Sequence, residues 1–112
     1  MDRRKELKAQ YKARKVVGGI YRINNRENGR FYLEYTDDIQ ATHNWFSSCC
    51  MTNTCTLPHI REDWKKFGKD AFFVEELDLL EKKQEQTNAE FTSDLKILLE
   101  LWDEKLPKEN RY

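Results

Sequence analysis

Apolar residues recur along this chain with two periods, and the changes between them mark out its elements. Leu7 and Tyr11, four apart in a run of helix formers from Asp2 to Arg14, predict a short amphipathic arm with basic residues around its other faces. Val16 to Asn24 and Arg30 to Tyr35 are rich in β-branched and aromatic residues, and Asn25-Arg26-Glu27-Asn28-Gly29 between them is turn chemistry, so the pair reads as a β-hairpin. Thr36-Asp37-Asp38 supplies an N-cap for a short helix through about Phe46, after which Ser47 to Leu57, polar and rich in Thr and Cys, reads as a loop. Pro58 suits the first turn of a helix on which Ile60, Trp64 and Phe67 share a face, and Gly68 suits its stop. Phe72 to Leu79 reads as a third strand. Thr87-Asn88-Ala89-Glu90 has capping-box spacing and opens a long helix that ends at Lys105, before Pro107. Phe91, Leu95, Leu98, Leu99, Trp102 and Leu106 form its apolar stripe, which Ile97 and Leu101 widen, either as further cover for the sheet or as a contact with a second copy or a protein partner.

The order α-β-β-α-α-β-α predicts a small α+β domain whose three-stranded sheet is covered by helices. With 112 residues, 38% hydrophobic and 36% charged, the chain supports one modest core. We divide it into a basic helical arm over 1–15, a single domain over 16–106 and a tail over 107–112. Its net charge of zero conceals an asymmetry, because residues 1–30 carry ten Lys or Arg against three acids, and the remainder ten against seventeen. An anionic partner for the basic part, or a basic arm lying against the acidic C-terminal helix, accounts for this split. No long apolar run predicts a membrane span, so the expected location is cytoplasmic. Cys49, Cys50 and Cys55 are odd in number and lack a Cys-x-x-Cys pair, which favours free thiols in a reducing compartment over a disulfide framework or a zinc site with His59.

The hairpin carries the candidate chemistry. Side chains alternate faces along a strand, so Tyr21 and Tyr32 share a face when Asn25 opposes Arg30, a register that also sets Tyr21 opposite Glu34 and Tyr32 opposite Ile23. Two phenols on one face can orient or activate water against a phosphodiester, but a tyrosine pKa near 10 then needs help from a metal or a nearby cation. The same two residues also suit plain strand packing.

Gly19-Ile20-Tyr21-Arg22-Ile23-Asn24, Asn28-Gly29-Arg30-Phe31-Tyr32, Thr36-Asp37-Asp38-Ile39 and Phe67-Gly68-Lys69-Asp70-Ala71-Phe72 together resemble the GIY-YIG nuclease superfamily, and small stand-alone bacterial or phage members of it in particular. The resemblance covers roughly residues 16 to 105. It implies a three-stranded antiparallel sheet flanked by helices and hydrolysis of DNA phosphodiester bonds with Mg²⁺ or Mn²⁺. It also implies Tyr21 as general base, Tyr32 as phosphate or water ligand, and Glu90 as metal ligand with Glu85 as its rival. The capping box with Thr87 accounts equally for a glutamate at position 90.

Three positions depart from the family pattern. Glu34 replaces the glycine of the second triplet, and it sets a carboxylate where the substrate phosphate would approach. The helix that would carry an arginine, Ala41-Thr42-His43-Asn44-Trp45-Phe46, has only His43 as a substitute, without the bidentate guanidinium contact. A downstream helix histidine also falls out of register, with Leu57 in its place and His59 two residues later. Two functions follow as expectations: a diverged metal-dependent endonuclease using Tyr21, Tyr32 and His43, or a degenerate module that holds DNA, another phosphate-bearing ligand or a protein without cutting. In the second, Arg22, Arg26, Arg30 and the N-terminal basic residues form the cationic surface.

Overall fold

The computed structural model describes residues 16–112, and the expected arm over 1–15 lies outside the described residues. Strands β1 (Val17–Asn25), β2 (Phe31–Thr36) and β3 (Phe72–Glu81) form one antiparallel sheet in the order β2-β1-β3. The α+β architecture is as the periodicities predict.

The turn between β1 and β2 fixes the register. Gly29 takes φ 73°, a left-handed value that favours glycine. Asn25 accepts the Glu27 N–H through its side chain at 2.9 Å, and Asn28 does the same for Arg30 at 3.0 Å. The Asn25 N–H donates to the Arg30 carbonyl at 2.8 Å, so Tyr21 lies opposite Glu34 and Tyr32 opposite Ile23, the predicted pairs.

Helix α1 (Ile39–Thr52) begins where predicted, with the Asp38 carboxylate accepting the Ala41 N–H at 3.1 Å. It does not stop near Phe46. It continues through the stretch expected to be a loop, because Cys49 is buried in the core and Asn53, in the left-handed conformation at φ 52°, supplies the stop. Helix α2 (Pro58–Phe67) buries Ile60 and Trp64 and ends at Gly68. After a single 3₁₀ turn over Lys69–Ala71 comes β3, and then helix α3 (Asn88–Lys105), capped by Thr87, whose hydroxyl accepts the Glu90 N–H at 3.1 Å.

The helices divide between the two faces of the sheet. Tyr21, Ile23, Cys49, Cys55, Ile60, Trp64 and Phe72 form one buried cluster under α1 and α2. Helix α3 packs on β1 and β2 from the other side, where Gly18 faces the Phe91 ring, and Phe91 and Leu95 are fully buried beside Ile20 and Phe31. Ile97 and Leu101 remain 55% and 50% exposed, so they widen the stripe outward rather than into the core.

The segment read as a tail is pinned to the domain. The Phe31 N–H donates to the Asn110 carbonyl at 2.8 Å and the Tyr112 N–H to the Phe31 carbonyl at 3.0 Å, so the segment runs along the outer edge of β2. The Tyr112 hydroxyl donates to Asp63 at 2.7 Å and accepts from the buried Asn25 amide at 2.9 Å, which satisfies a polar group that is 1% exposed.

Candidate functional site

Tyr21 stands in the middle strand with a glutamate on each side. Glu34 of β2 and Glu76 of β3 are its register partners, so carboxylate, phenol and carboxylate form a row across the three strands on the face covered by α1 and α2. Two residues back along β2, on the same face, Tyr32 donates its hydroxyl to Glu34 at 3.0 Å. The other Glu34 oxygen accepts the Tyr35 N–H at 2.9 Å.

Both histidines join this face. His43, projecting from α1, lies 2.6 Å from the Glu76 carboxylate through Nε2. His59, near the start of α2, lies against the Tyr32 ring with centroids 5.3 Å apart. His59 thus reaches Tyr32 across the loop that joins α1 to α2. Glu76, and the contact of His59 with Tyr32, escaped sequence reading because both approaches depend on the β1-β3 register and on the seating of α2, which are long-range. The only available signal was the alternation of β3 once its pairing with β1 was known.

Burial raises the pKa of both phenols. The Tyr21 hydroxyl is driven well above the ordinary tyrosine range, first by burial and then by the neighbouring Tyr32 and Glu34. Burial and the Glu34 carboxylate push Tyr32 up to about 12. These phenols hold their protons, the reverse of what a general base at neutral pH requires. A folded-state value above the ordinary one near 10 gives stability that is present in full below that pH and lost as pH rises through the folded value. We therefore expect part of the phenolate absorbance at 295 nm to appear only near pH 12, and this late step to shrink in Tyr32→Phe. An unchanged late step in the variant would refute the assignment.

The three hairpin arginines are not gathered beside Tyr21. Arg22 has the opposite parity on β1, pairs with Glu75 and lies over the Phe31 ring. Arg26 and Arg30 sit exposed at the hairpin tip, stacked on Phe73 and Tyr112 at 4.8 and 4.6 Å. Glu90 is on the helix that covers the opposite face, where it accepts the Thr87 hydroxyl at 3.0 Å and lines a cleft with Glu85, Gln86 and Asp94. This geometry fits the capping role, and it does not bring Glu90 to the tyrosines. Among the described residues no three His, Cys, Asp or Glu side chains converge to hold a metal ion. Mg²⁺ or Mn²⁺ therefore has no preformed ligand set among the described residues.

Beside Tyr21 opens a slot of about 350 Å³ lined by Tyr21, Ala41, Thr42, Trp45, Thr56 and Leu57. Its walls are largely apolar, and the Thr42 hydroxyl is already spent on Thr36 at 2.8 Å. Among the described residues no helix is long and apolar enough to cross a membrane. Comparison of the chain with protein-family models, with curated proteins and with solved structures found no match.

Proposed function

We propose that this chain is a degenerate GIY-YIG-like module that holds nucleic acid without cleaving it. The observation that carries the reading is the row Glu34–Tyr21–Glu76. A phosphodiester brought to Tyr21 meets two carboxylates, a phenol that keeps its proton, and no arginine on α1. Arginine-type stabilisation of a transition state is worth several kcal/mol, so a site without it is slower by orders of magnitude. Phosphate contacts fall instead to Arg26 and Arg30, whose stacked guanidinium groups face solvent at the hairpin tip, and to the basic residues of 1–15.

Plasmid and single-stranded DNA incubated with the purified chain and Mg²⁺ or Mn²⁺ are expected to show no nicking beyond a chelator control. Binding is expected to weaken as salt rises, and replacing both Arg26 and Arg30 by alanine is expected to reduce the salt slope by about 2. Metal-dependent nicking that disappears in Tyr21→Phe would sink this reading in favour of a diverged endonuclease. Nicking gained in a Glu34→Gly, His43→Arg double variant would mark the site as one degraded on an intact fold.

A further inference from the structure

Three buried side-chain nitrogens have no hydrogen-bond partner among the described residues: Asn24 Nδ2, Trp64 Nε1 and Arg111 Nε. Buried donors ordinarily find an acceptor. Trp64 lies in the core between the Phe46 and Phe72 rings, but the other two meet at one place. Asn24 sits on β1 between its register partners Phe31 of β2 and Phe73 of β3, and the Arg111 guanidinium lies over the Phe31 ring at 5.7 Å. Arg22 lies over the same ring at 5.2 Å, and Arg26 over the Phe73 ring at 4.8 Å. Phe31, Asn24 and Phe73 thus form a second row across the sheet, on the face opposite Tyr21, and three guanidinium groups cover it. Glu75 pairs with Arg22 and Asp103 with Arg111, whereas Arg26 is exposed and makes no ion pair among the described residues. Two unfilled donors among three cations call for one kind of group, an anionic oxygen acceptor.

We propose that this row seats a phosphate group of a nucleic acid, with Arg22, Arg26 and Arg111 around it and the Asn24 side-chain amide donating to one of its oxygens. This rests on the reading that the module binds nucleic acid, and it adds where the backbone lies, on the face opposite the tyrosines. Arg22 and Arg111 are each held by a ring and a carboxylate, so they take a phosphate oxygen with little further loss of side-chain freedom. Asn24 Nδ2 is covered in the free chain, so the phosphate enters as the exposed Arg26 lifts from Phe73 and folds back over it. On the tyrosine face Glu34 and Glu76 repel such a group, whereas Glu75 and Asp103 are already paired with arginines.

The test is a titration of the ¹⁵N-labelled full chain with a short DNA duplex at low salt, read by fluorescence anisotropy for affinity and by ¹H–¹⁵N spectra for the Asn24 side-chain amide and the Arg111 Nε–H. Both signals are expected to shift in step with binding. Asn24→Asp sets a carboxylate of nearly the same size in the middle of the row, and is expected to bind on the order of tenfold more weakly. Arg22→Gln is expected to lower the salt slope by about 1. Because a new carboxylate in the sheet also weakens the fold, the spectra of the unaltered chain are the companion measurement, independent of either variant. DNA that binds while both signals stay in place would overturn the phosphate seat and leave the binding module standing. No binding of the duplex would overturn both.

Discussion

Phe91→Ala is expected to destabilise the fold by about 4 kcal/mol, within the range for deleting a buried aromatic side chain. The ring is 2% exposed in the first turn of α3, and its tip lies 3.0 Å from where a Gly18 side chain would begin. It occupies the depression that the missing Gly18 side chain leaves in the sheet, so its neighbours on that side are backbone atoms that cannot collapse into the vacancy. Leu95, one turn on and fully buried, would lose its packing neighbour as well. A small domain has only about 5–15 kcal/mol in total, so the variant would be close to unfolding. Urea denaturation checks this, with a lower midpoint at an unchanged slope. A loss below about 1 kcal/mol would mean that α3 repacks, contrary to this account.

Gly19→Ala is expected to cost about 3 kcal/mol by overpacking. A Cβ at Gly19 would lie 2.2 Å from the Asp78 carbonyl oxygen, which is backbone and cannot rotate aside. The β1-β3 register shifts between Ile20 and Tyr21, just beyond this contact, so forcing the strands apart at Gly19 disturbs the alignment that brings Glu76 to Tyr21. Thermal denaturation should show a fall of roughly 12 °C or more for a domain of this size. A variant melting within about 2 °C of the parent would refute the close-approach explanation. Gly19 thus has a structural role in this chain that is independent of any chemistry at Tyr21, two residues later.

Local chemistry made the hairpin legible. Asn25, Asn28 and Gly29 dictate a turn, the turn dictates the register, and the register places Tyr21 against Glu34, all within a short stretch of sequence. The cap at Thr87 and the stripe headed by Phe91 and Leu95 were legible for the same reason. The second half of α1 was not, since Ser47 to Thr52 is a run of weak helix formers held by burial of Cys49 and a left-handed Asn53. Nor was the half of the site built by β3 and α2. Glu76 reaches Tyr21 and His59 reaches Tyr32 across loops whose closure leaves no trace in local periodicity. Arg22 shows the converse error, because proximity in sequence to Tyr21 put it in one group with Arg26 and Arg30 while strand alternation turned it to the other face.

The sheet has two outer edges, and they differ. That of β2 is closed at Phe31 by the strand-like pairing of residues 110–112. No strand among the described residues closes that of β3, which is ten residues long, with Leu79 half exposed. A strand so placed is a template on which a second chain can zip by backbone hydrogen bonds, the first step toward domain swapping or fibrils. Glu75, Glu76, Asp78 and Glu81 act as gatekeepers against it, since antiparallel pairing of two copies would set these carboxylates against one another. The carboxylates along β3 thus favour the colloidal stability of the protein, and neutralising substitutions there are expected to cost solubility.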